Sequence, residues 1–541
     1  MKKDIGLFFL LSAIVAGCLT GCAALNDERD RPFGVNFPAE SLSDRAVVVF
    51  FVDGVNAEIF EQMLRAKKLP NIKRYFLDRG TYIPRCTANI PSVTLANETS
   101  TVTGLFPGHH GVTGINWFDR VKLIWRNYET IDQKNLLDND YRATTIFETL
   151  GDATTVSIFY QAHRGATKFV ENRLSAGPPF FFRWYELVDR ISLCRFDLVA
   201  RIAATRGRFP LFTIAYMLAV DFRGYDQGLD SPEYRQALIH TDAHIGRVLA
   251  DFEAAGMLDK LVIVLTADHG LTRVRHHLAL DDFLRNRLGL SLAKKRLWEA
   301  MPFENRLDYY RQFTAVTAGS GDRYWAVYLR KPKVGGGFDA WPIRPAPEDL
   351  RRYSTRNGNR IDLIARLIDQ DAVDAVAWRK GPKTVRLVRR TGTVELKRTG
   401  PGQFSYRVIS GRDPLGYAAT GVPAEMLSGR PAPSRRWLDA TAKTQFPDLV
   451  PQLVAYFQAP RRGDLAVFAA PGWDFNTINQ AGHGGLRPAE MHFPLLLAGP
   501  GVPHTILPTA RAVDLVPTLL HLLGRPIPKE RDGTTLFKTR K

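Results

Sequence analysis

Seven consecutive apolar residues, Ala46-Val47-Val48-Val49-Phe50-Phe51-Val52, stop abruptly at Asp53-Gly54. A strand that is apolar on both faces has to be covered on both faces, the condition inside a parallel sheet flanked by helices. The pattern recurs. Leu261-Val262-Ile263-Val264-Leu265 runs toward Asp268-His269-Gly270, and Leu211–Tyr216 leads to Asp221. Thr155–Tyr160, Leu465–Ala470 and Phe493–Leu497 are further short apolar runs. Helical periodicity fills the gaps, from Ala57 to Ala66 and from Pro232 to Ala255, where Leu238, Ile245, Val248 and Phe252 share a face. Strands alternating with helices predict a mainly parallel α/β sheet, with ligand-binding groups at the carboxyl ends of its strands.

The stretch from about Arg275 to Pro460 is different, being rich in Arg, Gly and Pro. Within it, Thr384–Arg390 and Thr393–Lys397 alternate in polarity around Gly392 and predict a hairpin; Phe404–Ile409 is a candidate third strand. Strand-ending acidic motifs lie on both sides, so residues 276–459 are expected to form a smaller α+β subdomain inserted into a core of 45–275 and 460–535.

The first residues are Met1-Lys2-Lys3-Asp4, and no charge follows from Ile5 through Asn26. A short basic start before an apolar run predicts a secretory signal, here 1–22, with 23–44 as a linker. Val15-Ala16-Gly17-Cys18 and Leu19-Thr20-Gly21-Cys22 both resemble a bacterial lipoprotein-processing box, leaving Cys22 or Cys18 as the lipidated residue. An exported, membrane-anchored bacterial lipoprotein is the expectation, on the periplasmic or cell-surface face. Cys86 and Cys194 are then the remaining thiols, and an oxidising compartment permits a disulfide between them. The net charge of +18 suits an anionic surface or a phosphate-bearing substrate. Lys and Arg are scattered rather than gathered in one arm, and no nucleic-acid module is evident. The sequence assigns no oligomeric state.

Four separated pieces carry metal-ligand residues at strand ends or in glycine-flanked loops: Asp53, Asp221, the pair Asp268-His269, and His483 in Gly482-His483-Gly484. Asp with His suits zinc or another borderline divalent ion. A fifth piece, Pro91-Ser92-Val93-Thr94-Leu95-Ala96-Asn97, reads as a loop turning into a helix at a hydroxyl residue. A threonine hydroxyl there is either a helix cap or, with a metal or the helix dipole to stabilise its alkoxide, a nucleophile.

In this order the pieces resemble the alkaline phosphatase superfamily, in its type I phosphodiesterase/nucleotide pyrophosphatase branch. Leu105-Phe106-Pro107-Gly108-His109-His110-Gly111 and Ala512–Leu519 add to the likeness, which covers about 45–275 and 460–535. The resemblance implies an alkaline-phosphatase-like three-layer core and two divalent ions, usually Zn2+. It further implies Thr94 as a nucleophile that becomes a phospho-threonine, and Asn97 as a donor to a phosphate oxygen. One ion is implied on Asp53, Thr94, Asp268 and His269. The other is implied on Asp221, His483 and a histidine four residues after the aspartate, where this chain has Tyr225. Tyr225 as phenolate, a water, or Asp226 are the alternatives for that place.

A sulfatase needs a modifiable Cys or Ser followed by Pro and Arg, which Thr94–Glu98 lacks. The expected activity is hydrolysis of phosphodiester or pyrophosphate bonds in a small-molecule or lipid substrate. Arg164 and Lys168 are candidates for a clamp that would favour monoesters, although a solvated basic loop is the reading their setting favours. Two other readings stand beside it: phosphoryl or phosphoethanolamine transfer to an envelope glycolipid, and a non-catalytic binding lipoprotein with a degraded second metal site.

Overall fold

The computed structural model describes residues 42–130, 133–171, 173–294 and 302–537. The expected signal, both candidate lipidation cysteines and nearly all of the expected linker lie outside these residues. Two sheets organise the chain. In chain order the first six strands are β1 (Ala46–Val52), β2 (Thr81–Thr87), β3 (Thr155–Ile158), β4 (Lys168–Val170), β5 (Phe212–Met217) and β6 (Leu261–Thr266). Eight more follow in the second sheet: β7 (Ala315–Ser320), β8 (Tyr324–Leu329), β9 (Val373–Gly381), β10 (Thr384–Arg389), β11 (Gly392–Gly400), β12 (Gln403–Gly411), β13 (Ala432–Pro433) and β14 (Leu465–Ala469). The chain then returns to the first sheet with β15 (His492–Ala498), β16 (Thr505–Ile506) and β17 (Ala510–Arg511).

The first sheet has the order β16-β2-β15-β6-β1-β5-β3-β4, with β17 also pairing β2. β6, β1, β5, β3 and β4 are parallel neighbours, and β15 is antiparallel to both β6 and β2. All seven residues of β1 are buried, as their apolarity on both faces demands. The main helices are α1 (Ala57–Arg65), α2 (Thr94–Thr103), α3 (Tyr185–Arg206), α4 (Ala219–Gln227) and α5 (Pro232–Ala254). α5 lays Leu238, Ile245, Val248 and Phe252 into the core, the face its periodicity marks out.

The second sheet is antiparallel throughout, in the order β7-β8-β14-β9-β10-β11-β12-β13. The expected hairpin is β10–β11 and its third strand is β12. Leu465–Ala469, expected among the core strands, instead lies between β8 and β9. A boundary at residue 459 therefore cuts this sheet. A buried apolar strand announces that it is covered, not which sheet covers it. The two lobes also share a core, because Ile90, Phe118 and Trp125 pack with residues of the second sheet. Cys86 and Cys194 are not bonded to each other, and Cys86 is buried in the sheet core.

Candidate active site

β6, β1 and β5 end side by side, with Phe51 opposite Thr266 and Val52 opposite Met217. Asp53 follows β1, Asp268 and His269 follow β6, and Asp221 falls in the first turn of α4 just after β5. α4 is oriented by the Asp189 carboxylate, which accepts from the amides of Leu218 and Ala219 at 2.7 and 3.2 Å. Gly54 lets two of these groups meet. Its φ is +67°, and a Cβ there would lie 2.4 Å from Asp221 Oδ1.

Thr94 is the first residue of α2, after an uncapped Val93, so it is not the helix cap. Its Oγ1 lies 3.2 Å from His269 Nε2. The opposite ring nitrogen, His269 Nδ1, is 3.2 Å from the Gly270 carbonyl, which fixes the proton there and turns the bare Nε2 toward Thr94. His483 is set the same way by the Ser92 carbonyl, 2.8 Å from its Nδ1. The two imidazoles stack at a centroid distance of 3.6 Å.

Among the described residues, two groups place ligand atoms within 4.8 Å of one another: Asp53, Asp268 and His269, and Asp221, His269 and His483. All five side chains are buried, and His269 belongs to both groups. Asp53 Oδ1, Asp221 Oδ1 and Asp268 Oδ2 are buried without a hydrogen-bond partner. Buried carboxylate oxygens are costly in that condition unless a cation meets them. Burial pushes Asp53 up to about 6, although the Tyr216 hydroxyl donates to it. Burial and then the charge of Asp53 hold Asp221 and Asp268 well above the carboxylate range. Burial lowers His483 to about 4 and drives His269 well below its ordinary value, so both imidazoles are neutral and able to ligate. Crowded acids, orphaned oxygens and neutral histidines fit a divalent-cation site.

Other candidates resolve differently. Asn97 is fully buried. Its Nδ2 donates to the carbonyls of Asn89, Pro91 and Val93, and its Oδ1 accepts from the Asn89 amide at 2.7 Å. It clamps the loop that delivers Thr94 rather than facing substrate. Arg164 is tied to Glu148 at 2.9 Å and to the carbonyls of Asp138, Tyr141 and Ala143, so it braces a loop. Lys168 lies in edge strand β4. Asp226 accepts from the Tyr185 hydroxyl at 2.8 Å and pairs with Arg183 at 3.0 Å, which leaves it outside the metal groups. Tyr225 meets the His483 ring edge-on at 5.7 Å. Burial first, and then the charges of Asp322, Asp221 and Asp53, push its hydroxyl well above the usual range in the metal-free protein.

Two contributors escape a reading of motifs. Tyr216, in β5, donates to Asp53 Oδ2. Asp322, in the β7–β8 turn, reaches the Tyr225 and Asp221 side chains electrostatically from the second sheet. The run before it, Ala315–Ser320, mixes Thr, Gly and Ser with apolar residues, so no motif marks Asp322 in the sequence.

Residues 47–340, more than half of the chain, match the family model of type I phosphodiesterase / nucleotide pyrophosphatase. The chain belongs to that family. It falls within the alkaline phosphatase superfamily, as the motifs imply. An uncharacterized pyrophosphatase/phosphodiesterase of Schizosaccharomyces pombe is 25% identical over 53% of this chain and 58% of its own length. Ectonucleotide pyrophosphatase/phosphodiesterase family member 5 of Homo sapiens is 24% identical over 39% of the chain and 43% of its own. A venom phosphodiesterase of Naja atra is 22% identical over 43% and 27%. The chain thus spans well under two thirds of the length of these family relatives. The structure of murine ectonucleotide pyrophosphatase / phosphodiesterase 5 superposes with a TM-score of 0.55, covering 90% of this chain and 96% of that one at 14% identity. That likeness establishes the family fold.

Proposed function

We propose that the protein is a metal-dependent phosphoesterase that cleaves phosphodiester or pyrophosphate bonds, with Thr94 Oγ1 as the attacking group. The observation that carries this is the position of Thr94. It begins a helix, 3.2 Å from the unprotonated nitrogen of His269 and beside carboxylates with orphaned oxygens. Asp53, Thr94, Asp268 and His269 would hold one divalent ion, and Asp221 and His483 the other. Such ions supply Lewis acidity to the phosphoryl oxygens and lower the pKa of a bound hydroxyl. The chain's own part is orientation. The helix start favours the phosphate anion, and Asn97 fixes the loop so that Oγ1 is aligned for in-line attack. Attack forms the Oγ1–P bond, breaks the bond to the leaving oxygen and releases the Oγ1 proton to solvent; water then cleaves the phospho-threonine and returns a proton to Oγ1. Thr94→Ala should lower turnover of an aryl phosphodiester by ~10³-fold or more while leaving the metal-free melting point within about a degree. Full activity in that variant would sink the mechanism.

A second observation favours a lipid-borne substrate at an exported membrane surface, with the anchor on Cys22 or Cys18. Phe180, Phe181, Phe182, Arg183 and Trp184 are five consecutive exposed residues, Phe181 at 80% and Trp184 at 48%. Aromatic rings beside a cation suit a bilayer interface. Phe180 packs against Phe222 of α4, the helix that carries Asp221. No helix among the described residues is long and apolar enough to cross a membrane. Replacing Phe181 and Trp184 with Ser should reduce cleavage of a diester embedded in anionic vesicles by roughly fivefold and leave a soluble diester unaffected. Equal effects on both substrates would remove the lipid reading. Transfer to an added alcohol exceeding hydrolysis would instead favour the transferase.

A further inference from the structure

We propose that Asp322, delivered by the inserted lobe, is a positioning residue for the second metal position, backing Asp221 and His483 where Tyr225 stands in place of a histidine. This rests on the two-ion reading above and concerns which side chains build its weaker half.

Asp221 and Tyr225 stand one turn apart on α4, so they share a face. A tyrosine there leaves Asp221 and His483 as the side chains at that end of the cluster, with His269 shared with the other half. Asp226, next in sequence, is engaged by Tyr185 and Arg183. The β7–β8 turn comes from the opposite direction. The His483 amide donates to the Gly321 carbonyl at 2.8 Å, and the Arg323 amide donates to the His483 carbonyl at 3.1 Å. Asp322 is thereby a direct bridge partner of His483. The approach is close enough that a Cβ on Gly321, whose φ is +61°, would lie 2.5 Å from His483 Nδ1.

The Asp322 carboxylate is also held in place. Asn476 Nδ2 donates to its Oδ1 at 3.1 Å, Asn479 Nδ2 donates to its Oδ2, and the Phe475 amide donates to its carbonyl at 2.7 Å. Arg323, fully buried, locks the base of the turn through Glu490 at 2.6 Å. Asp322 falls outside the groups whose ligand atoms lie within 4.8 Å of one another. Its role is therefore that of a positioning residue: a negative charge, fixed by Asn476 and Asn479, felt by Asp221 and Tyr225 and carried on the turn that holds the His483 backbone. The orphaned, buried Asp221 Oδ1 marks this region as one that expects a cation. Carboxylates placed behind ligands in this way typically change metal affinity by ~10–100-fold.

Zinc stoichiometry and affinity, measured by chelator competition on the metal-stripped full chain, test this. Wild type should take two ions per chain. Asp322→Asn should keep one with unchanged affinity and bind the other ~10–100-fold more weakly, and Asp322→Glu should recover most of the loss. Tyr225→His should tighten the second ion at least ~10-fold and make it insensitive to Asp322→Asn. Two ions of native affinity in Asp322→Asn, or an unaltered second ion in Tyr225→His, would overturn the assignment even if Asp322→Asn folds poorly. Fewer than two ions in wild type would overturn the two-ion reading itself.

Discussion

Asp53, Asp268 and His269 occupy the ends of two adjacent parallel strands, and a backbone amide, that of Gly54, already joins Asp268 across them at 3.2 Å. His483 is held differently: it follows the short strand Ala481–Gly482, which pairs with Thr272 and Arg273, and is positioned by the Ser92 carbonyl on one side and the Gly321–Arg323 turn of the other lobe on the other. The first sheet therefore places Asp53, Asp268 and His269 and also Asp221, whereas His483, which completes the second half, is held partly by the other lobe. A sheet end tolerates change elsewhere in the chain, whereas a lobe contact transmits it. The largest break in this comparison comes from Gly321→Ala. The added methyl meets the His483 ring and a positive φ together, so a loss of about 1–3 kcal/mol of stability is expected. Zinc titration should show the second ion weakened at least ~10-fold and the first unchanged. Equal weakening of both ions would mean that the halves are not separately built.

Asp53 sharpens the comparison from the other side. Its folded-state pKa, about 6, lies above the ordinary 3.8. A raised acid contributes stability that is complete below pH 3.8 and is lost as pH rises through about 6. In the metal-free protein at about pH 7.5 its charge is then a burden of roughly 3 kcal/mol, at 1.36 kcal/mol per pH unit. Asp53→Asn, which keeps an acceptor for Tyr216, should raise the melting temperature of the EDTA-treated protein at that pH. The gain should fade toward pH 5, and zinc should no longer stabilise the Thr94 half. A lower melting temperature at every pH would show that Asp53 is held by its neighbours rather than crowded by them.

These contrasts follow what a linear chain can display. β1, β5, β6 and their terminal acids are legible because burial on both faces demands long apolar runs, and a parallel sheet puts the ends of those runs together. Thr94 is legible only through its company; its place as first helical residue rather than cap rests on Val93, which carries no cap signature. Asn97 misleads, because an amide one turn into a helix looks free in sequence and is fully engaged by the loop folded back over it. β14 joins the second sheet although its composition matches a core strand, since pairing is decided by contacts with β9 and β8, about 90 and 140 residues distant in sequence. Asp322 lies farthest from legibility. It is about 100 residues from Asp221 and about 160 from His483, and only the fold makes them neighbours.

The smallest effect is expected at Arg164, where the sequence offers a phosphate clamp beside the favoured reading of a solvated basic loop and the structure shows a brace. Its guanidinium pairs with Glu148 and lies 4.3 Å over the Tyr141 ring while donating to loop carbonyls. A group already shared among these acceptors has no donor directed at a substrate. Arg164→Ala should therefore cost about 1–2 kcal/mol of stability through the unsatisfied carbonyls. The ratio of monoester to diester turnover should stay within about twofold of wild type, because that ratio reports contacts made by the transferring phosphoryl group alone. A selective loss of monoester turnover in Arg164→Ala would instead place Arg164 in the site, and the loop from Asp138 to Glu148 would have to move toward Thr94 for that contact to form.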